Sequence, residues 1–217
     1  MQRMRTFLAA GLLGAVSLGG MAPRAAATQI ISQPLEVMNA RSAMVVRAVP
    51  IAGTSRSRWT EPNNQGLILT VTRFRVIETL AADRAVGGEI DVQTLGGTIG
   101  DITMKVPGGA GFVPDEEVVL FLDDSLSGVP MILDLSAGKF EVAPDGRGEA
   151  RLTRRDFEDV VVAGGPAPRQ PATLREMREA VAACRGLRAE YLRTGRLPDG
   201  APGADAKPQP NNAKEAE

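Results

Sequence analysis

The chain has 217 residues but no histidine, one cysteine (Cys184), one tryptophan (Trp59) and one tyrosine (Tyr191). Without histidine, Ser-His-Asp and Cys-His catalysis are excluded, as are the usual zinc ligand sets. The side chain best matched to proton transfer near neutral pH is also missing. One cysteine allows no internal disulfide, so the fold must stand on its core alone. Cys184 falls on an apolar helical stripe and reads as a small buried hydrophobe, a poor nucleophile without a histidine partner. Beyond the first segment no stretch is apolar enough to cross a bilayer. There is no basic cluster of the kind that binds nucleic acid or anionic lipid.

The two ends differ from the middle. Met1-Gln2-Arg3-Met4-Arg5 is basic, Phe7 to Leu18 is apolar, and Ala25-Ala26-Ala27 supplies small residues before Thr28. That order reads as a cleavable secretory signal peptide over residues 1–27. The apolar run is short for a membrane span, and Gly19, Gly20 and Pro23 break any longer helix. The expected location is therefore extracytoplasmic, periplasmic or secreted, with no membrane insertion of the mature chain. The whole chain carries 25 Lys+Arg and 26 Asp+Glu. Removing residues 1–27 takes away Arg3, Arg5 and Arg24 and no acid, leaving 22 basic against 26 acidic residues, a net of −4. Residues 194–217 are rich in Pro, Gly, Ala and charge, with Leu197 their only large apolar residue, and are expected to be disordered.

Residues 28–193 remain as one expected domain. Between 43 and 153 the pattern is β, with short alternating runs punctuated by glycine. Met44 to Ile51 and Gly66 to Leu80 read as strands. In the second, Leu67, Leu69 and Val71 are followed by Phe74 and Val76, a change of parity that predicts a β-bulge near Thr72-Arg73. Glu89 to Leu95 and Ile102 to Val106 alternate on either side of Gly96-Gly97 and predict a hairpin. Val118-Val119-Leu120-Phe121-Leu122 is apolar throughout and predicts a strand covered on both faces. Val129, Met131, Leu133 and Leu135 alternate, as do Phe140 and Val142, and Ala150 with Leu152 closes the series. Thr173-Leu174-Arg175-Glu176 is a capping box. It opens a helix over about 173–193 whose stripe is Leu174, Met177, Val181, Cys184 and Tyr191. The fold expected is mainly β: a small antiparallel OB-like β-barrel of about six to eight strands with one C-terminal α-helix, a β-sandwich being the alternative.

The order of these features resembles a group of secreted bacterial domains built on an OB-like β-barrel. The matching residues are the Arg58-Trp59 loop, the Gly66 to Leu80 strand ending in Val76-Ile77 and Leu80, and Gly96-Gly97. Phe112-Val113-Pro114-Asp115-Glu116-Glu117 leading into Val118 to Leu122, then Gly138 to Val142 and the final helix, also match. The chain departs from that pattern at Ala81-Ala82, where such domains often carry Lys-Gly, and at Asp115, where a turn glycine is common. The resemblance implies an exported accessory domain and supplies no catalytic residues. A more distant likeness to netrin-like inhibitors does not transfer, because their mechanism needs an N-terminal cysteine.

Little in the sequence carries chemistry. The carboxylates Asp115-Glu116-Glu117, Asp123-Asp124 and Asp156, Glu158 and Asp159 lie at turns and lack the ordered spacing of a calcium loop. Gly108-Gly109-Ala110-Gly111 lacks the lysine and helix of a phosphate loop. No catalytic, metal or cofactor residue is therefore expected, and no cofactor. The candidate interface residues are Arg58, Trp59 and Phe112; Trp59 reads equally as an interface anchor or as a plug for the barrel. The function expected is a non-enzymatic binding or accessory domain that contacts another extracytoplasmic protein or envelope component. The alternatives are a carrier of an apolar ligand inside the barrel and, less favoured, a carboxylate-dependent hydrolase.

Overall fold

The computed structural model describes residues 29–31, 33–60, 66–144, 146, 149–154, 161–163 and 169–196. The expected signal peptide, almost all of the expected tail, and Asp156, Glu158 and Asp159 lie outside the described residues. The elements in order are β1 (Gln29–Ile31), α1 (Leu35–Arg41), β2 (Met44–Pro50), β3 (Arg56–Trp59), β4 (Ile68–Ala82), β5 (Glu89–Leu95), β6 (Gly97–Ile99), β7 (Ile102–Met104) and β8 (Val118–Asp123). They continue with β9 (Met131–Ile132), β10 (Lys139–Pro144), β11 (Ala150–Thr153), β12 (Val161–Ala163), α2 (Leu174–Ala183) and α3 (Arg185–Thr194).

Five strands close on themselves in the order β2-β4-β5-β9-β8, with β8 returning to β2. Counted within the ring, the order is first, second, third, fifth, fourth, the arrangement of an OB-type Greek-key barrel. Four of the five contacts are antiparallel, and β5–β9 is parallel through the single pair Gln93↔Met131. β3 extends the sheet along β4, while β10 and β11 extend it beyond β8. A small β-barrel followed by C-terminal helix is thus the architecture.

Strand alternation sorts the apolar residues into two cores. Met44, Val46, Ala48, Phe74, Val92, Val118, Leu120, Leu122 and Ile132, drawn from all five ring strands, fill the barrel. The opposite faces of β2, β8 and β10 offer Val45, Val119, Phe121, Phe140 and Val142. These pack under Leu35 and Met38 of α1 and Leu174, Met177 and Val181 of α2. Val118 to Leu122 are buried on both faces, as their unbroken apolarity requires.

Local structure departs from the sequence pattern in five places. No bulge occurs at Thr72-Arg73: β4 and β5 pair without interruption from Leu69↔Leu95 to Arg75↔Glu89. The inward series is Ile68, Thr72 and Phe74, all buried, so Leu67, Leu69 and Val71 point the other way. A buried threonine in that series disguises its period. The register shifts lie instead between β2 and β4, where Leu80 and Ile77 are passed over. Arg56–Trp59 forms β3 rather than a loop. β5 pairs with β4, and the hairpin after it is the small β6–β7 ribbon. β9 stops at Ile132, because Asp134 (φ 48°) and Leu135 (φ 62°) turn the chain in the left-handed region. Asp115, where a turn glycine is common, also adopts φ 63°.

The capping box forms with one difference. Thr173 Oγ1 accepts from the Glu176 amide at 3.2 Å, while Glu176 Oε2 accepts from the amide of Ala172 at 2.8 Å rather than from Thr173. The helix then breaks at Cys184 into α2 and α3. In α3, Arg188 donates to Ala40 O and Arg41 O at 3.3 and 2.8 Å. It thereby satisfies carbonyls at the end of α1 that have no helical partner. The sequence pattern contains no element before Met44; α1 is too short and too weakly capped to mark itself.

Candidate functional site

The face of β4 and β5 that looks away from the barrel interior carries a cleft of about 640 Å³. Thr60, Leu67, Leu69, Gln93 and Leu95 line its floor, and Asp123 to Ser127 and Met131 to Asp134 its far wall. Alternation puts Gln93 and Leu95 on the side of β5 opposite Val92, which is in the core. The volume is that of ordinary ligand sites, and the mix of leucines with a few polar groups is typical of them.

Gln93 is 2 % exposed. Its Oε1 accepts from Arg58 Nη2 at 3.2 Å and from Ser127 Oγ at 3.1 Å. A guanidinium only donates, so this pair fixes which amide atom is oxygen and which is nitrogen. No described residue engages the Nε2 donors. Met131, the register partner of Gln93, is also the partner of Asp123 on the other side. Asp123 and Gln93 therefore flank Met131 two strand spacings apart, roughly 10 Å between Cα atoms.

Asp123 takes a hydrogen bond from the Asp124 amide at 2.9 Å, and no ion pair holds it among the described residues. Burial pushes its carboxyl above the usual aspartate range, against the opposing pull of that amide and of Arg188 and Arg41. The neighbouring acids are engaged: Asp134 binds Arg41 through two bonds of 2.5 and 2.9 Å, and Asp124 pairs with Arg84 at 2.8 Å. The left-handed turn at Asp134-Leu135 is held by the Arg41 fork and by close packing at Gly138. A Cβ there would come within 2.9 Å of Phe121 O and 3.0 Å of Leu133 O.

The loop between β8 and β9 presents the lip. Ser125 Oγ contacts Ser127 Oγ at 2.7 Å and donates to Val129 O at 2.5 Å. This compact turn leaves Leu126 standing out, 95 % exposed. Leu67 on the facing lip is 39 % exposed.

The three sequence candidates separate. Arg58 belongs to the cleft through Gln93. Trp59 pairs with the buried Ile68 and remains 46 % exposed, next in the chain to Thr60 of the cleft. Phe112 is the plug: its ring meets Phe74 edge-on at 4.7 Å, against the barrel core. Lys139 Nζ lies 5.5 Å from the same ring. Of the sequence-flagged acids, Asp123 and Asp124 reach the cleft, while Glu117 accepts from Arg47 on the covered side. No group of three His, Cys, Asp or Glu side chains is placed to hold a metal among the described residues. Sequence reasoning missed Gln93, whose signal is its polarity at a position that the structure buries. It also missed Leu126, an isolated leucine inside a polar loop.

No helix among the described residues is long and apolar enough to cross a membrane. No protein-family model, no curated protein and no solved structure matches the chain.

Proposed function

We propose that the chain is an exported, non-enzymatic binding domain that contacts another extracytoplasmic protein through the cleft on β4 and β5. The observation that carries this reading is the open, leucine-lined cleft with Leu126 extended at its lip. Isolated exposed leucines are ordinary, but a concave apolar surface with one leucine projecting over it is the form of a recognition site. The place is also the one OB-type barrels use, the face of the second and third strands between the first and last interstrand loops, an argument from fold alone. The mildly acidic balance of the expected mature chain does not suit a phosphate backbone. The alternative of a ligand inside the barrel gains no support, since nine buried side chains occupy that space.

A photo-crosslinking amino acid placed at Leu126 or at Leu192 in cells producing the protein tests the reading. Leu192, 62 % exposed on α3, is the control. Discrete adducts are expected from position 126 and none from 192. Adducts of equal yield at both positions, or none at either, overturn the proposal.

A further inference from the structure

We infer that the occupant of the cleft is an extended apolar peptide segment carrying one cationic side chain, its ammonium or guanidinium received by Asp123 and a backbone carbonyl received by Gln93. The inference rests on the reading of the cleft as the binding site and adds the chemistry of what binds.

Three features of the cleft point there. The first is its apolar floor of Leu67, Leu69 and Leu95, which stabilises aliphatic side chains. The second is Asp123, a half-buried carboxylate in the far wall. A cation arriving at Asp123 finds no competing salt bridge to break, whereas at Asp124 or Asp134 it must displace an arginine. The Asp124 amide offsets only part of the cost of burying this carboxylate, and an arriving cation offsets more of it. The third is the Gln93 amide. Its oxygen is occupied by Arg58 and Ser127, so only its N–H donors remain for a ligand, and they require an acceptor.

A donor and an anionic acceptor on strands either side of Met131, over a leucine floor, match an extended chain. Such a chain offers a carbonyl and, a few residues on, a basic side chain. The same features select against other ligands. A nucleic acid or an acidic lipid headgroup brings negative charge to Asp123, whose carboxylate holds no ion pair among the described residues. A purely aliphatic molecule leaves both polar groups without partners, which weakens it relative to a ligand that satisfies them.

Anisotropy titrations with short dye-labelled peptides test this on the whole protein. One peptide alternates leucine and glycine with a central lysine; two others replace the lysine by norleucine or glutamate. Saturable binding is expected in the order lysine, norleucine, glutamate. Asp123→Asn is expected to weaken the lysine peptide roughly tenfold while leaving the norleucine peptide unchanged. The asparagine keeps the acceptor for the Asp124 amide, and the unchanged norleucine affinity serves as its folding control. Gln93→Leu is expected to weaken both peptides by a similar factor. If lysine and norleucine peptides bind alike and Asp123→Asn changes neither, the cleft stands as the site and the charge inference is overturned. If no peptide binds saturably, the inference fails; the crosslinking at Leu126 then decides separately whether the cleft is a site at all.

Discussion

The barrel wall has two outer faces, and the same alternation of residues is put to different use on each. On β2, β8 and β10 the outward residues are Val45, Val119, Phe121, Phe140 and Val142, and helices α1 and α2 cover them. On β4 and β5 the outward residues include Leu69, Leu95 and Gln93, and no helix among the described residues lies over them. Two carboxylates cut across that division of strands, Glu78 lying at the helix-covered end of β4 and Asp123 at the cleft end of β8. On the covered side, Glu78 is gripped by Arg178 of α2 through two bonds of 2.8 Å, with Arg47 at 3.6 Å. The hydrogen bonds from Arg178 hold its carboxyl below the usual glutamate range. On the open side Asp123 has no such partner, and burial pushes it up. One face spends its polar groups on holding helices to the barrel; on the other, Asp123 is left without an ion pair among the described residues.

Substitutions can sharpen that comparison, beginning with the largest effect. Phe121 and Phe140 face each other at 5.9 Å beneath the helices. Phe121→Ala is expected to destabilise the fold by about 3–5 kcal/mol, measured by urea unfolding, through lost contact and a residual cavity. A loss below about 1 kcal/mol contradicts the account of this face. Thr173→Ala removes the cap of α2 and is expected to cost about 1 kcal/mol by the same measurement, with Thr173→Ser restoring most of it.

The two carboxylates predict opposite pH dependences. Glu78 titrates below its ordinary 4.5 in the folded state, so its contribution is present above that value and lost as pH falls through the depressed one. Asp123 titrates above its ordinary 3.8, so its charged form opposes folding at neutral pH and that opposition disappears on acidification. Glu78→Gln is therefore expected to lower the melting temperature at pH 7 and to shrink the loss of stability below pH 4.5. Asp123→Asn is expected to leave the melting temperature at pH 7 unchanged or slightly raised. A drop with Asp123→Asn as large as that with Glu78→Gln removes the distinction between the faces. The smallest effect belongs to Leu126→Ser, expected to change stability by no more than about 0.5 kcal/mol in the same urea assay.

The helix-covered face is legible in the sequence because its signals are redundant. Val118 to Leu122 must be buried on both sides, and Leu174, Met177 and Val181 must face inward together. The capping box marks where the helix begins. The open face is not legible, because its signals are contradictory there. Thr72 points into the barrel and Leu69 away from it, so hydrophobicity alone assigns β4 to the wrong parity. Gln93 looks like a solvent residue in an alternating strand, and distant residues, Arg58 and Ser127, bond it in its buried place. Asp123 ends an apolar strand and reads as a turn acid. The pairing of both with Met131 depends on a two-residue strand with no propensity signal of its own. Arg58, a candidate from the sequence, hydrogen-bonds Gln93 of the cleft, whereas Phe112 packs edge-on against Phe74 of the barrel core.

The most direct test is an amide chemical-shift map of the isotope-labelled protein titrated with the lysine peptide. The account predicts shifts confined to residues 67–69, 93–95 and 123–132, with α2 and α3 unmoved. Shifts concentrated on α2 and α3, or in the barrel core around Phe74 and Leu120, contradict it.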